Sequence, residues 1–198
     1  MMHIFCVEKS MKGGALLNVR EAIVNRRSIR KFKEDPIPDE LLFEILETAR
    51  WSPSPGNSQP WRFIIIKDRL TLRKIVAYAK YGVHLIDAPM AIAVVATPIE
   101  AFAWYNEIEE NRYAGAVAST TLMLAAWERG VGTCWVSVDR KKVGEILGLP
   151  ARHEVVSIIP IGFPEKIEPH RENDRNPAYL MIYSEKFGER FPRIDQKK

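Results

Sequence analysis

A chain of 198 residues, 46% hydrophobic and 27% charged, has ordinary globular composition and can bury a sizeable core in one domain. No apolar run reaches the ~18 residues of a membrane span, and His3–Val7 is too short for a signal-peptide core and runs straight into Glu8, so a soluble, cytoplasmic protein without a membrane partner is expected. Cys6 and Cys134 lie far apart and the four histidines show no ligand spacing, which argues against a zinc site or a disulfide framework, while a net charge of +4 leaves an anionic ligand or nucleic acid open.

Residues 1–17 lack a clear period and contain Gly13–Gly14, so they are set aside as an irregular extension. Asn18, with Glu21 three residues on, is a capping box that opens a helix with Val19, Ala22 and Ile23 on its apolar face. Asp35-Pro36-Ile37-Pro38 is a stiff connector. Asp39 is expected to cap the next helix, whose apolar positions Leu41, Leu42, Ile45, Leu46 and Ala49 have helical spacing up to about Trp51. A buried strand is expected over Arg62–Lys67, a helix over Leu70–Lys80 and a second strand over Ala91–Ala96. A long helix runs from about Glu107 to Arg129 and stops at Gly130. Its stretch Ala114–Ala126 is small or apolar on every side, the pattern of a helix buried all round in a core or a subunit interface. Thr133–Val138 reads as a third strand, Asp139 caps a short helix closed by Gly148 and Pro150, and Val155–Ile161 is a fourth strand ended by Gly162 and Pro164. The tail carries Tyr179, Ile182, Tyr183 and Phe187 with too little around them to form a core. Helices alternate with strands, so spacing alone gives α/β or α+β, helices covering a central sheet.

Three segments carry chemistry. Arg26-Arg27-Ser28-Ile29-Arg30 packs three guanidinium groups into five residues at a helix end. A phosphate or delocalised anion would relieve their repulsion through charge-assisted hydrogen bonds; the alternative is a solvated helix end whose cations complement the dipole. Pro53-Ser54-Pro55-Gly56-Asn57-Ser58-Gln59-Pro60-Trp61 is a rigid polar loop ahead of a core strand, suited to present hydrogen-bonding groups to a polar ring, or else a turn that satisfies its own backbone. In Gly130-Val131-Gly132-Thr133-Cys134-Trp135-Val136-Ser137-Val138 the glycines turn the long helix into a strand. Cys134 there has apolar neighbours and no histidine nearby, which favours a buried, inert thiol.

In this order the segments resemble the FMN-dependent nitroreductase family, from about Asn18 to Pro192. The matching motifs are Arg-Arg-Ser-x-Arg, Ser-Pro-Ser-x-x-Asn-x-Gln-Pro-Trp, Gly-x-Gly-Thr-Cys-Trp after a long helix, and Ile161-Gly162-Phe163-Pro164 followed by Arg175-Asn176-Pro177. The resemblance implies an α+β fold: a three-layer α/β/α sandwich with a central mixed, mainly antiparallel sheet, forming a homodimer with flavin sites at the interface. It implies one domain over residues 18–192, with 193–198 as a tail. It implies FMN as cofactor, NAD(P)H as electron donor, and a nitroaromatic, quinone or similar small molecule as acceptor, reduced in ping-pong fashion.

By the same resemblance, Arg26, Arg27 and Ser28 would hold the FMN phosphate and ribityl chain, and Arg30 would approach the pyrimidine edge near N1 and O2. Pro53, Ser54, Pro55 and Asn57 would line the flavin from the other subunit. Val136 and Ser137 would face N5 and O4 by their backbone, and Arg175 would complete the phosphate site. Many relatives have glycine in place of Ser137 and a second basic residue in place of Asn173; Arg171 is the alternative cation. Trp104 and Tyr105 lie where relatives shape the substrate slot. No side chain need act as acid, base or nucleophile for hydride transfer, so the catalytic list is empty. A relative that dehalogenates iodotyrosine or cleaves flavin is the alternative within the fold. From another class, a nucleic-acid-binding protein fits a pI of about 9.1, but aromatics interleaved with basic residues are not evident.

Overall fold

The computed structural model describes residues 18–98, 107–169 and 175–192. The chain divides into two compact units, Met1–Ile167 and Glu168–Lys198. In the first, helices α1 (Val19–Asn25), α2 (Asp39–Ala49), α3 (Arg69–Val76), α4 (Glu107–Glu128) and α5 (Arg140–Ile146) surround strands β1 (Trp61–Ile66), β2 (Met90–Ala96), β3 (Gly132–Thr133) and β4 (Glu154–Gly162). The strands form one sheet in the order β1-β2-β4-β3. All three ladders are antiparallel, and among the described residues the parallel component of the expected mixed sheet is a single bridge, Ser28 to Thr133.

Side-chain alternation on β2 divides the core. Met90, Ile92, Val94 and Ala96 pack with Leu42 and Ile45 of α2 and with Ala118 and Leu122 of α4. Ala91 and Ala93 pack on the opposite face with Leu72 and Ile75 of α3 and Val143 of α5. Helices therefore cover both faces, giving the α/β/α layering. A register shift on the β2–β4 ladder at Val94/Val95 leaves Val156 unpaired, so Val155 and Ile158 share one face despite their odd spacing.

Local boundaries follow local chemistry. Asn18 and Glu21 make the reciprocal capping box, and Asp68 and Asp139 accept from the backbones of Thr71 and Lys142 at the starts of α3 and α5. Asp39 is not a cap: Pro38 holds that position, and Asp39 lies in the first turn, where its charge complements the dipole. The α3 helix stops at Val76 rather than Lys80. The expected strand over Thr133–Val138 is cut to two residues. Gly132 pairs with Gly162, Thr133 with Ile161, and Val136 with Ile158 in the same register. Val136 and Ile158 exchange both backbone bonds, whereas Cys134 N donates to Pro160 O at 3.4 Å and Pro160 has no N–H to return. The break sits where the partner strand carries its proline.

On α4, Ala114, Ala118, Ser119, Leu122 and Ala126 are buried, and Gly115 lets Val156 come close enough that a Cβ would stand 2.8 Å from its Cγ2. The helix is not covered all round in the single chain. Tyr113 and Val117 are 55% and 40% exposed, and Thr120 extends that stripe.

In the C-terminal unit a 3-10 turn, Ala178–Leu180, precedes a bridge between Tyr183 and Arg190. The Arg190 guanidinium lies 4.7 Å from the Tyr183 ring centroid and donates to Tyr179 O at 2.9 Å. Its apolar side chains Tyr179, Ile182 and Phe187 are exposed.

Gly132 packs tightly against Ile29, where a Cβ would stand 2.7 Å from Ile29 Cγ1. Gly132→Ala is expected to destabilise the protein by about 1–3 kcal/mol in urea unfolding. Adding Ile29→Ala should recover part of that loss, because the two changes share one space.

Candidate functional site

The segment after α1 is anchored by two buried residues three positions apart, with exposed residues between and beside them. Ile29 and Phe32 are buried beside Ala88 and Trp127, while Ser28, Arg30, Lys31 and Lys33 are exposed. Ile29 N donates to Thr133 O at 2.9 Å. The bridge from Ser28 to Thr133 and the apolar anchors bring Ser28 and Arg30 beside Thr133 and Cys134, whereas Lys31 and Lys33 run along Phe163 and Glu165.

The Cys134 thiol registers that placement. Cys134 is 2% exposed. Burial pushes its thiol up, while the Arg30 charge, a side-chain hydrogen bond with Ser28 and the Arg26 charge oppose the shift. Arg26, Ser28 and Arg30 therefore converge on one place, and the thiol there stays protonated and unreactive. Arg27 is used differently: its Nη1 donates to the carbonyls of Asn25 at 2.8 Å and Arg26 at 3.2 Å, completing the end of α1. Val136 is buried on the inner side of the segment and Ser137 is exposed.

The polar loop stands elsewhere. Ser54 Oγ accepts from Gln59 N at 2.9 Å, and Gly56, Asn57 and Gln59 have φ of 55°, 55° and 49°, so the loop is tightly folded on itself. It enters the sheet at Trp61, which pairs with Ala96 on the outer strand β1. The arginine run lies along β3, the opposite outer strand, at the end where Ile161 pairs with Met90. Six residues of strand and three strand spacings put these corners on the order of 20 Å apart. Within one chain, Arg26, Ser28, Arg30 and Val136 come together, and the entry of the Pro53–Asn57 loop is at the far corner of the sheet. Arg175 belongs to the C-terminal unit; Arg171, Asn173, Trp104 and Tyr105 lie outside the described residues.

One residue that the sequence did not single out belongs to this region. His84 is 6% exposed, and its Nε2 has no hydrogen-bond partner. Burial and then the Arg30 charge hold the imidazole below its ordinary range, against Asp87 and the Tyr81 main chain. The only sequence signal was a histidine set among Val83, Leu85 and Ile86.

A match to the family model described as the nitroreductase family covers residues 23–111 and 79–163. The chain belongs to the nitroreductase family. A Rhodospirillum rubrum relative, 5,6-dimethylbenzimidazole synthase, is 33% identical over 176 residues, covering 76% of this chain and 83% of that protein. An NADH dehydrogenase of Thermus thermophilus is 29% identical over 180 residues, covering 75% and 88%. Among solved structures, an FMN-dependent nitroreductase from Clostridium difficile R20291 superposes with a TM-score of 0.71 at 29% identity, covering 84% of this chain and 98% of that one. The α+β sandwich is thus the nitroreductase fold. Among the described residues no helix is long and apolar enough to cross a membrane, and no group of three His, Cys, Asp or Glu is placed to hold a metal.

The residues gathered here fit FMN. Half-buried Arg26, the Ser28 hydroxyl and exposed Arg30 offer cations and a donor on one side of a buried apolar wall at Val136, and the His84 nitrogen is an acceptor still to be filled.

His84 makes stability depend on pH. Its proton affinity is lower folded than unfolded, so between its depressed folded value and about 6.5 the unfolded chain binds more protons. Stability is therefore complete above pH about 6.5 and falls as pH drops, by at most about 1.4 kcal/mol per pH unit. Urea unfolding from pH 7.5 to 5 should give a steeper loss for the wild type than for His84→Gln; equal slopes would exclude His84 as the source.

Proposed function

We propose that the chain binds FMN and reduces small electron-poor acceptors, nitroaromatics or quinones, with NAD(P)H as donor, as a homodimer whose two sites are each built from both chains. The observation that carries this is the placement of the cation cluster and the polar loop at opposite corners of one sheet. A second copy would bring its loop to the cluster, and the exposed stripe of Tyr113 and Val117 on α4 gives such a copy an apolar face to cover. Family membership and the relatives named for NADH and FMN support the cofactor and the donor.

Bound FMN supplies a hydride acceptor and donor at N5. Arg26, Arg27 and Ser28 hold its phosphate and ribityl chain, and Arg175 is proposed as a further phosphate cation on the family resemblance. The Arg30 guanidinium favours negative charge at the pyrimidine edge. Val136 and Ser137 would border the flavin ring by their backbone, and Pro53, Ser54, Pro55 and Asn57 of the second copy would close the slot. The protonated, buried Cys134 takes no covalent part, and no side chain need move a proton at the reacting carbon. Donor and acceptor use the slot in turn. A synthase activity like that of the Rhodospirillum rubrum relative is the second reading, favoured by 33% identity; 5,6-dimethylbenzimidazole among the products would identify it.

Purified protein is expected to be yellow and to release FMN, not FAD, on denaturation. Double-reciprocal plots at several fixed acceptor concentrations should be parallel, and NADH or NADPH should bleach the flavin without oxygen. Intersecting plots, or no bleaching by either donor, would contradict the proposal.

Arg26→Ala and Arg175→Ala each remove charge-assisted hydrogen bonds worth roughly 1.5–3 kcal/mol, so FMN affinity should fall about 10- to 100-fold in each. Light scattering should give twice 22.7 kDa, and a monomer that keeps its flavin would rule out the shared site.

A further inference from the structure

Among the described residues, three buried side-chain atoms lack a hydrogen-bond partner: His84 Nε2, Thr97 Oγ1 and Arg112 Nε. Arg112 Nε still has a Glu154 carboxylate oxygen at 3.0 Å, and Thr97 adjoins residues outside the described set. His84 stands in the candidate site. A buried imidazole nitrogen left open costs stability, so it calls for a partner.

The surroundings of His84 are rigid. It sits in a 3-10 turn, Val83–Leu85, whose Leu85 is fully buried. At the preceding Gly82 a Cβ would stand 2.5 Å from Ala79 Cβ and 2.9 Å from Val136 Cγ1, so the turn is pressed against the wall of the site. Two charged side chains act on the ring: Arg30, which disfavours its proton, and Asp87, which favours it. Arg69, on neighbouring α3, donates to the carbonyls of Ile86 and Ala88 at 2.9 and 2.7 Å. Arg30 itself is exposed and loosely held, its Nη1 lying 3.4 Å from Ser28 O. A guanidinium has five N–H donors, and a neutral imidazole nitrogen is an acceptor. A carboxylate in that place would hold Arg30 and cancel its charge. A neutral histidine holds it and leaves the charge intact.

We propose that His84 is a positioning residue for Arg30, its neutral Nε2 accepting an N–H of the guanidinium and fixing that cation at the cofactor edge. The inference rests on the FMN reading above. Acidification would protonate the ring, which would then lose its acceptor and repel Arg30, so FMN affinity should fall on the acid side.

FMN is titrated into flavin-free, full-length protein by fluorescence quenching between pH 5 and 8, for the wild type, His84→Phe, His84→Gln, Arg30→Ala and the His84→Phe/Arg30→Ala double variant. His84→Phe is expected to weaken FMN binding about tenfold at pH 7.5, the size of one net hydrogen bond, and to cost nothing further once Arg30 is alanine. His84→Gln keeps an acceptor that does not titrate, so it should bind at pH 7.5 like the wild type and lack the acid-side loss. The proposal is overturned if His84→Phe costs as much without Arg30 as with it, or if His84→Gln keeps the wild-type acid limb. The glutamine variant alone decides if the phenylalanine variant does not fold. A wild-type protein that takes up no FMN overturns the flavin reading and this inference together. One that binds FMN equally at all these pH values overturns this inference alone.

Discussion

Gly132 lies so close to Ile29 that any side chain there would have to displace it, a Cβ standing 2.7 Å from Ile29 Cγ1. The rest of the site depends on that approach. It lets residues 28–29 run along β3, with Ser28 bridged to Thr133 and Ile29 N bonded to Thr133 O at 2.9 Å. With Ile29 and Phe32 anchored in the core, Ser28 and Arg30, the neighbours of Ile29, are left exposed. The basic cluster is thus fixed by apolar packing, which is how like charges can be held together before any anion arrives.

The same sheet keeps the Pro53–Asn57 loop away from the cluster. Strand order places β1 and β3 on opposite edges, and the antiparallel ladders put the start of β1 and the Ser28 bridge at opposite ends. A slot built from both therefore calls for two chains. The chemistry of the proposed slot would be positional: clustered cations, a buried apolar wall and a neutral imidazole, with the thiol held protonated by burial. Such a site discriminates by fit and charge and leaves bond-making to what it binds.

Much of this was legible in the residues. The capping box at Asn18 and Glu21, the all-apolar strand Ala91–Ala96 and the cap at Asp139 are local, and local rules reach them. The early end of β3 was not legible, because it comes from Pro160, a residue that faces Cys134 only after the strands pair. Asp39 was misplaced by one position because a proline can occupy the cap without a side-chain bond. The arginine run is visible in the sequence, but not that Arg27 also closes the end of α1 while the charges of Arg26 and Arg30 reach Cys134. His84 escaped because its meaning lies in burial and in an unfilled nitrogen, neither of which has a sequence pattern.

Complementation between two damaged chains tests the shared site most directly. One chain carries Arg26→Ala with Arg30→Ala, the other Ser54→Ala with Asn57→Ala, and each alone should bind FMN poorly. In a mixed dimer the shared-site account gives one slot with both halves intact and one with both halves damaged. Co-expressed chains should therefore recover FMN in about a quarter of all sites, half of a random dimer population being mixed. If the co-expressed chains bind no more FMN than either variant alone, each slot is built within one chain and the account is wrong.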